Sequence, residues 1–243
     1  MFKNIPSPTI FAHRGASAHA PENTLAAFEL AREQGADAIE LDVKLSADGI
    51  PVVIHDSTVD RTTNGSGSVS NLSLASLQEL DAGDGQRIPT LDEVFAAVGQ
   101  DLYINVELTN YGSPNDALVE KVVEVIEKHA LQERILFSSF FAKNLHRAAE
   151  LLPDTPRGLL ALPGLLGLWA RIFGFRAKAY QAVHPSIKNV NAKMIARAHQ
   201  RGKRVHVWTV NTADEMRQLV EWGVDGIFTD DPKLAVEILR GET

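Results

Sequence analysis

The chain has 243 residues, 44% of them hydrophobic, a formal net charge of −7 and no cysteine. That length and apolar content are enough for one large core, here expected as a single domain over residues 1–243, while the missing thiols exclude disulfides, thiolate metal sites and a cysteine nucleophile. The acidic balance argues against a broad basic surface for nucleic acid.

At the amino end, Met1-Phe2-Lys3-Asn4-Ile5-Pro6-Ser7-Pro8 lacks a long apolar segment, so no cleaved secretory signal is expected and a cytoplasmic location is. From Thr9 onward, short β-rich runs alternate with amphipathic stretches. Eight barrel strands are predicted, centred on Phe11, Leu41, Val106, Phe137, Leu160, Val183, Val207 and Ile227. Helices are predicted at Asn23 to Gln34, Leu91 to Val98, Asp116 to His129, Ala142 to Leu151, Ala192 to Gln200, Thr212 to Trp222 and Pro232 to Leu239, with Asn23 and Thr212 as caps and Pro232 in a first turn. This alternation predicts a TIM (β/α)8 barrel, whose active site is built at the carboxyl ends of its strands. The first strand leads into His13-Arg14-Gly15-Ala16, which lacks the glycine spacing of a dinucleotide-binding sheet.

The second strand carries Ala38-Ile39-Glu40-Leu41-Asp42-Val43, so Glu40 and Asp42 leave from one face and Ile39, Leu41 and Val43 from the other. Asp48-Gly49 predicts a tight hairpin returning through Pro51 to Asp56. With Asp48 and Gly49 as the two central turn residues, Asp42 falls opposite His55, although a slip of one residue would turn His55 to the other face. The glycine-rich, polar region from Ser57 to Pro89 is expected to form an excursion over the barrel mouth. Gly158 to Phe175 is unusually apolar but too interrupted for a membrane span. It reads either as a strand plus a buried helix, or as a hydrophobic lip at 159–175 that holds an acyl chain or touches a bilayer surface.

Two imidazoles, a guanidinium and clustered carboxylates at strand ends suit attack on a phosphate diester. That chemistry needs a cation on the nonbridging oxygens, a base for the nucleophile and an acid for the leaving oxygen. Alone, Glu40 or Asp42 is an ordinary solvated carboxylate. Glu107 lies in the nearly apolar run Leu102 to Leu108, where an unpaired carboxylate is costly, so the three acids are expected to share a cation. Their oxygen-only donor set fits Mg²⁺ or Ca²⁺ without separating the two. His13 and His55 are the acid/base candidates, in either order. Arg14 is expected to contact phosphate, with a local salt bridge as its plain alternative. Trp208 packs either on the substrate or within the barrel. Glu22 and Asn23 are read as loop-fixing and capping residues, His184 as a minor candidate at the mouth, and the remaining histidines as lacking comparable company. No Gly-x-Ser-x-Gly turn is present for a serine hydrolase.

His13-Arg14-Gly15-Ala16, Pro21 to Thr24, Glu40 to Val43, His55-Asp56 and Arg61 to Gly65 together resemble the glycerophosphodiester phosphodiesterase family. The likeness continues through Asn105 to Leu108, Phe137 to Phe140, Trp208 to Asn211 and Gly226 to Pro232. It implies hydrolysis of glycerophosphodiesters to glycerol 3-phosphate and an alcohol, within glycerol and lipid metabolism. The metal ligands would be Glu40, Asp42 and Glu107, the acid/base pair His13 and His55, and the phosphate contact Arg14. Either water attacks directly or a glycerol hydroxyl attacks first to give a cyclic phosphate. Many members carry a lysine two places after the third carboxylate, where this chain has Thr109. Two alternatives remain open: a phospholipase D-type lipid phosphodiesterase acting on lysophospholipid-like substrates, and a noncatalytic phosphate-binding barrel.

Overall fold

The computed structural model describes residues 5–113 and 115–241; Met1 to Asn4, half of the stretch used to judge the amino end, lie outside them. The strands are β1 (Thr9–His13), β2 (Ala38–Leu45), β3 (Pro51–Val53), β4 (Tyr103–Leu108), β5 (Ile135–Ser139), β6 (Arg157–Ala161), β7 (Ala182–Pro185), β8 (Arg204–Val207) and β9 (Gly226–Thr229). All but β3 run parallel in the order β1-β9-β8-β7-β6-β5-β4-β2, and β1 pairs with β2 to close the ring. The eight predicted strand centres all fall in these eight barrel strands, and the fold is a TIM barrel.

The helices are α1 (Leu25–Glu33), α2 (Leu74–Gln78), α3 (Leu91–Val98), α4 (Leu118–Lys128), α5 (Ala142–Leu151), α6 (Leu168–Ile172), α7 (Ala192–His199), α8 (Ala213–Glu221) and α9 (Pro232–Arg240). On β2, Ile39, Leu41 and Val43 pack outward with Phe28, Leu91 and Phe95 in the shell between strands and helices. Strand alternation therefore turns Glu40 and Asp42 into the barrel. Thr90 forms a reciprocal capping box with Glu93 at the start of α3, and Thr212 caps α8.

Three expectations need correction. The cap of α1 is Thr24, whose hydroxyl accepts from Ala27 N–H, while Asn23 adopts a positive φ of 58° and sends its amide elsewhere. The hairpin is one residue out of the predicted register: Val43 pairs with Val53, and Ile54 N–H donates to the Asp42 carbonyl at 2.9 Å. Its loop has three residues, with Gly49 left-handed at φ 76°, a common alternative to a two-residue turn. Finally, the 158–175 segment supplies a strand, but α6 buries none of its residues.

The excursion after β3 has an apolar centre of its own, with Val59, Val69, Leu77, Ala82 and Ile88 packed against Val52 and Ile54. That cluster holds the loop on the hairpin.

Candidate active site

Strand register brings the predicted residues to one end of the barrel. His13 on β1 is level with Glu40 on β2, and Asp42 is level with Glu107 on β4. One ligand oxygen or more from each of Glu40, Asp42 and Glu107 can be chosen within 4.8 Å of the others. A cavity of ≈200 Å³ is lined by these three, His13, Arg14 and His55, with Phe140, Leu160 and Trp208 on its apolar side. It is smaller than the roughly 300–1,000 Å³ of pockets that enclose drug-sized ligands.

His55 reaches the cavity despite the shifted register because β3 ends at Val53, so strand alternation no longer fixes the direction of its side chain. Each histidine is oriented by a carboxylate: His13 Nδ1 donates to Asp230 Oδ1, and His55 Nδ1 to Asp56 Oδ1, both at 2.6 Å. Each ring then has its Nε2 available for chemistry. Burial would raise Asp230, but hydrogen bonds from His13, Asn211 and Ser17 outweigh it and hold the carboxyl low. Asp56 is lowered to about 2, chiefly by its hydrogen bond from Arg61.

Arg14 follows β1 in a left-handed conformation, φ 58°, which turns its backbone N–H onto Glu40 at 3.0 Å. Such a φ in a non-glycine residue stores strain that surrounding contacts must hold. Gly15 beside it has φ 82°, and a Cβ there would lie 2.6 Å from the Ala27 backbone, so no other residue lets α1 approach this turn. The Arg14 guanidinium donates to Glu22 at 2.9 Å, while its buried Nε, 3.5 Å from Asp42, has no hydrogen-bond partner. Burial works against that cation, yet Asp42, Glu40 and Glu22 raise its pKa. A guanidinium lining a cavity is suited to an anionic ligand.

The carboxylate trio is electrostatically incomplete. Burial, then repulsion from Asp42 and Glu107, pushes Glu40 well above the usual carboxyl range; burial and Asp42 raise Glu107 to about 8. Three oxygen donors that repel one another in a buried pocket fit a hard divalent cation. Asn23 donates to Asp42 at 3.0 Å, and Tyr111 Oη donates to Glu107 at 2.8 Å.

Several participants were not singled out from sequence. Lys44 continues the inward alternation of Glu40 and Asp42, and its ammonium donates to the Thr109 hydroxyl at 2.8 Å and carbonyl at 3.0 Å. An amine therefore stands on the residue where the resemblance anticipates a lysine. Burial lowers its pKa against the pull of Asp42 and Glu107. Arg61, from the excursion, donates to both oxygens of Glu22 at 2.8 Å and to Asp56 at 2.6 Å, joining the supports of Arg14 and His55. Trp208 sits just past β8, lines the cavity and donates its indole N–H to the His184 carbonyl at 2.8 Å. His184 lines the same cavity from within the barrel. It pairs with buried His206 at 3.2 Å, and burial lowers it to about 3, which keeps it neutral.

Fold and site together define a TIM-barrel enzyme with an acidic centre suited to a divalent cation. The sequence pattern of the glycerophosphoryl diester phosphodiesterase family matches residues 13–234. A glycerophosphodiester phosphodiesterase of Caldanaerobacter subterraneus subsp. tengcongensis is 40% identical, with 95% of this chain and 97% of that protein covered. One from Bacillus altitudinis is 37% identical, with 94% and 97% covered. A solved Oleispira antarctica phosphodiesterase, in complex with the product sn-glycerol-3-phosphate, superposes with a TM-score of 0.86 at 32% identity, covering 96% of this chain and 97% of that one. The chain belongs to the glycerophosphoryl diester phosphodiesterase family, whose members are generally metal-dependent, and is a phosphoric diester hydrolase.

Proposed function

We propose that residues 1–243 form one catalytic domain that hydrolyses glycerophosphodiesters to glycerol 3-phosphate and a free alcohol in the cytoplasm. The observation that carries this reading is the convergence of Glu40, Asp42 and Glu107 beside His13, His55 and Arg14 in one cavity. Those three carboxylates would hold Mg²⁺ or Ca²⁺, which when bound withdraws charge from the phosphoryl oxygens. Arg14, which lines the cavity, would bind the phosphate through its guanidinium. Lys44, anchored on Thr109, adds positive charge behind Asp42 and Glu107.

One histidine accepts the proton of the attacking water as its oxygen bonds to phosphorus. The other protonates the departing alcohol oxygen as the P–O bond breaks. Asp230 and Asp56 keep the two rings aligned. Phe140 and Trp208, edge to face with centroids 6.0 Å apart, give the glycerol or alcohol group an apolar wall. The intact acid/base and carboxylate set favours turnover over mere retention of a phosphate ligand.

A second substrate reading, hydrolysis of lysophospholipid-like diesters, is supported by the exposed apolar side chains that follow Leu160. The deciding assay measures release of choline, the product common to both substrates, with Mg²⁺ or Ca²⁺, with and without chelator, from glycerophosphocholine and its acylated analogue. Chelator-sensitive turnover is expected, faster on the unacylated compound. Preference for the acylated one selects the second reading, and tight binding without turnover of either rejects both.

A further inference from the structure

Of the nine large apolar side chains exposed among the described residues, seven lie between Leu162 and Phe173. Leu165 and Leu166 are 86% and 84% exposed, Trp169 is 60% exposed, and the Trp169 and Phe173 rings lie 6.1 Å apart. These side chains project from the connection that leaves the carboxyl end of β6, so they flank the barrel mouth. Leu160, immediately before it, lines the cavity. The connection is braced from below: Arg171 donates to the Leu162 and Gly164 carbonyls, and Gly164 N–H donates to Asn189 Oδ1 at 3.0 Å. A braced backbone with outward apolar tips makes a ridge rather than a groove.

The stretch of sequence that carries this ridge differs in charge from the rest of the protein. From Thr155 to Ala213 there are ten Lys and Arg and no Asp or Glu, in a chain of net charge −7, so the remaining residues carry −17. Arg157 and Lys203 are buried and committed to backbone carbonyls. Lys188, in the turn after β7, and Lys193, at the start of α7, are exposed at the same end of the barrel as the ridge.

We infer that the protein docks on anionic lipid bilayers through this ridge. Leu165, Leu166, Trp169 and Phe173 enter the boundary between headgroups and acyl chains, and Lys188 and Lys193 meet the headgroups. Exposed aromatic and aliphatic side chains bordered by cations match such a surface in both polarity and charge. A second copy meeting the same face would oppose lysines to lysines across a two-fold interface. A single acyl chain would leave most of a convex ridge uncovered. Among the described residues no helix is long and apolar enough to cross a membrane, so attachment through this ridge is superficial. Docking turns the cavity mouth toward the lipid surface.

The test sediments the full chain with vesicles of phosphatidylcholine alone, or of phosphatidylcholine and phosphatidylglycerol in equal parts, at low and high salt. Binding is expected only with phosphatidylglycerol, weakened by salt, with a blue-shifted tryptophan emission that is missing in Trp169→Phe. Leu166→Ser combined with Trp169→Ser lowers the partition coefficient at least about tenfold, and Lys188→Glu with Lys193→Glu also weakens it. Both double variants keep wild-type turnover of glycerophosphocholine, because none of these side chains lines the cavity. Vesicle binding needs no turnover and is measured equally on His13→Ala, so the result stands apart from the proposed reaction. No binding to anionic vesicles, binding unaffected by the Leu166/Trp169 substitutions, or a dimer abolished by those substitutions without vesicle binding would each overturn the inference.

Discussion

Removing divalent cations should make this protein less stable as the pH rises, and Glu107 should be a principal cause. Its carboxyl is raised from 4.5 to about 8 by burial and by Asp42. Between those pH values it stays protonated in the cation-free native state and ionises in the unfolded chain. The native state then binds more protons, so stability is complete below the unfolded value and is lost as pH climbs toward 8. The rise corresponds to about 5 kcal/mol, or a Tm loss on the order of 10–20 °C for a chain of this size. His184 and His206 act in the opposite sense, because burial lowers both and their contribution is lost as pH falls below the usual histidine range. The informative quantity is therefore the difference between wild type and Glu107→Gln, in which these rings cancel. Calorimetry in chelator from pH 5 to 8.5 should show that difference narrow or reverse with rising pH, as the wild type pays for an ionised Glu107 that the glutamine never forms. Mg²⁺ or Ca²⁺ should restore the wild type most strongly at the alkaline end. Parallel Tm curves for the two proteins in chelator would refute the reasoning.

Replacing His13 or His55 by alanine should lower kcat by roughly 10²–10⁴-fold with an unchanged circular dichroism spectrum; near-normal turnover removes that residue from the acid/base pair. Arg61→Ala should reduce kcat by roughly 10–100-fold, and the loss should deepen at acid pH. Without Arg61, Asp56 rises from about 2 and releases His55 at a higher pH than before. A pH-independent loss in this variant would mean that Arg61 only holds the loop. Lys44→Met should cost on the order of tenfold in kcat/KM, and Thr109→Val should reproduce part of that loss. Unaltered kinetics in Lys44→Met would show that the ammonium is too remote to matter.

The barrel was legible because its strands and helices carry distinct periods, and Glu40 and Asp42 because strand alternation alone puts them on one face. Glu107 betrayed itself as an acid in an apolar run. The hairpin register was missed because Asp48-Gly49 serves a three-residue loop as readily as a two-residue one, with Gly49 supplying the left-handed position in either. Lys44 had a readable signal, since it continues the Glu40–Asp42 alternation. Tyr111 had none, because its phenol meets Glu107 only through the course of the loop after β4. Arg61 and Glu22 are 39 residues apart, and their pairing follows from docking of the excursion rather than from local pattern. The segment after β6 was ambiguous because an apolar run does not declare whether protein will cover it; α6 rests on the core through Ala170 but has no fully buried residue.

The pairing of His13 with Asp230 spans 217 residues and joins the first barrel strand to the end of the last. A growing polypeptide therefore cannot orient this imidazole until residue 230 has left the ribosome. Fragments ending before β9 would also lack the strand that seals β1. Termination before β9 thus leaves both the ring of strands open and this imidazole without its carboxylate.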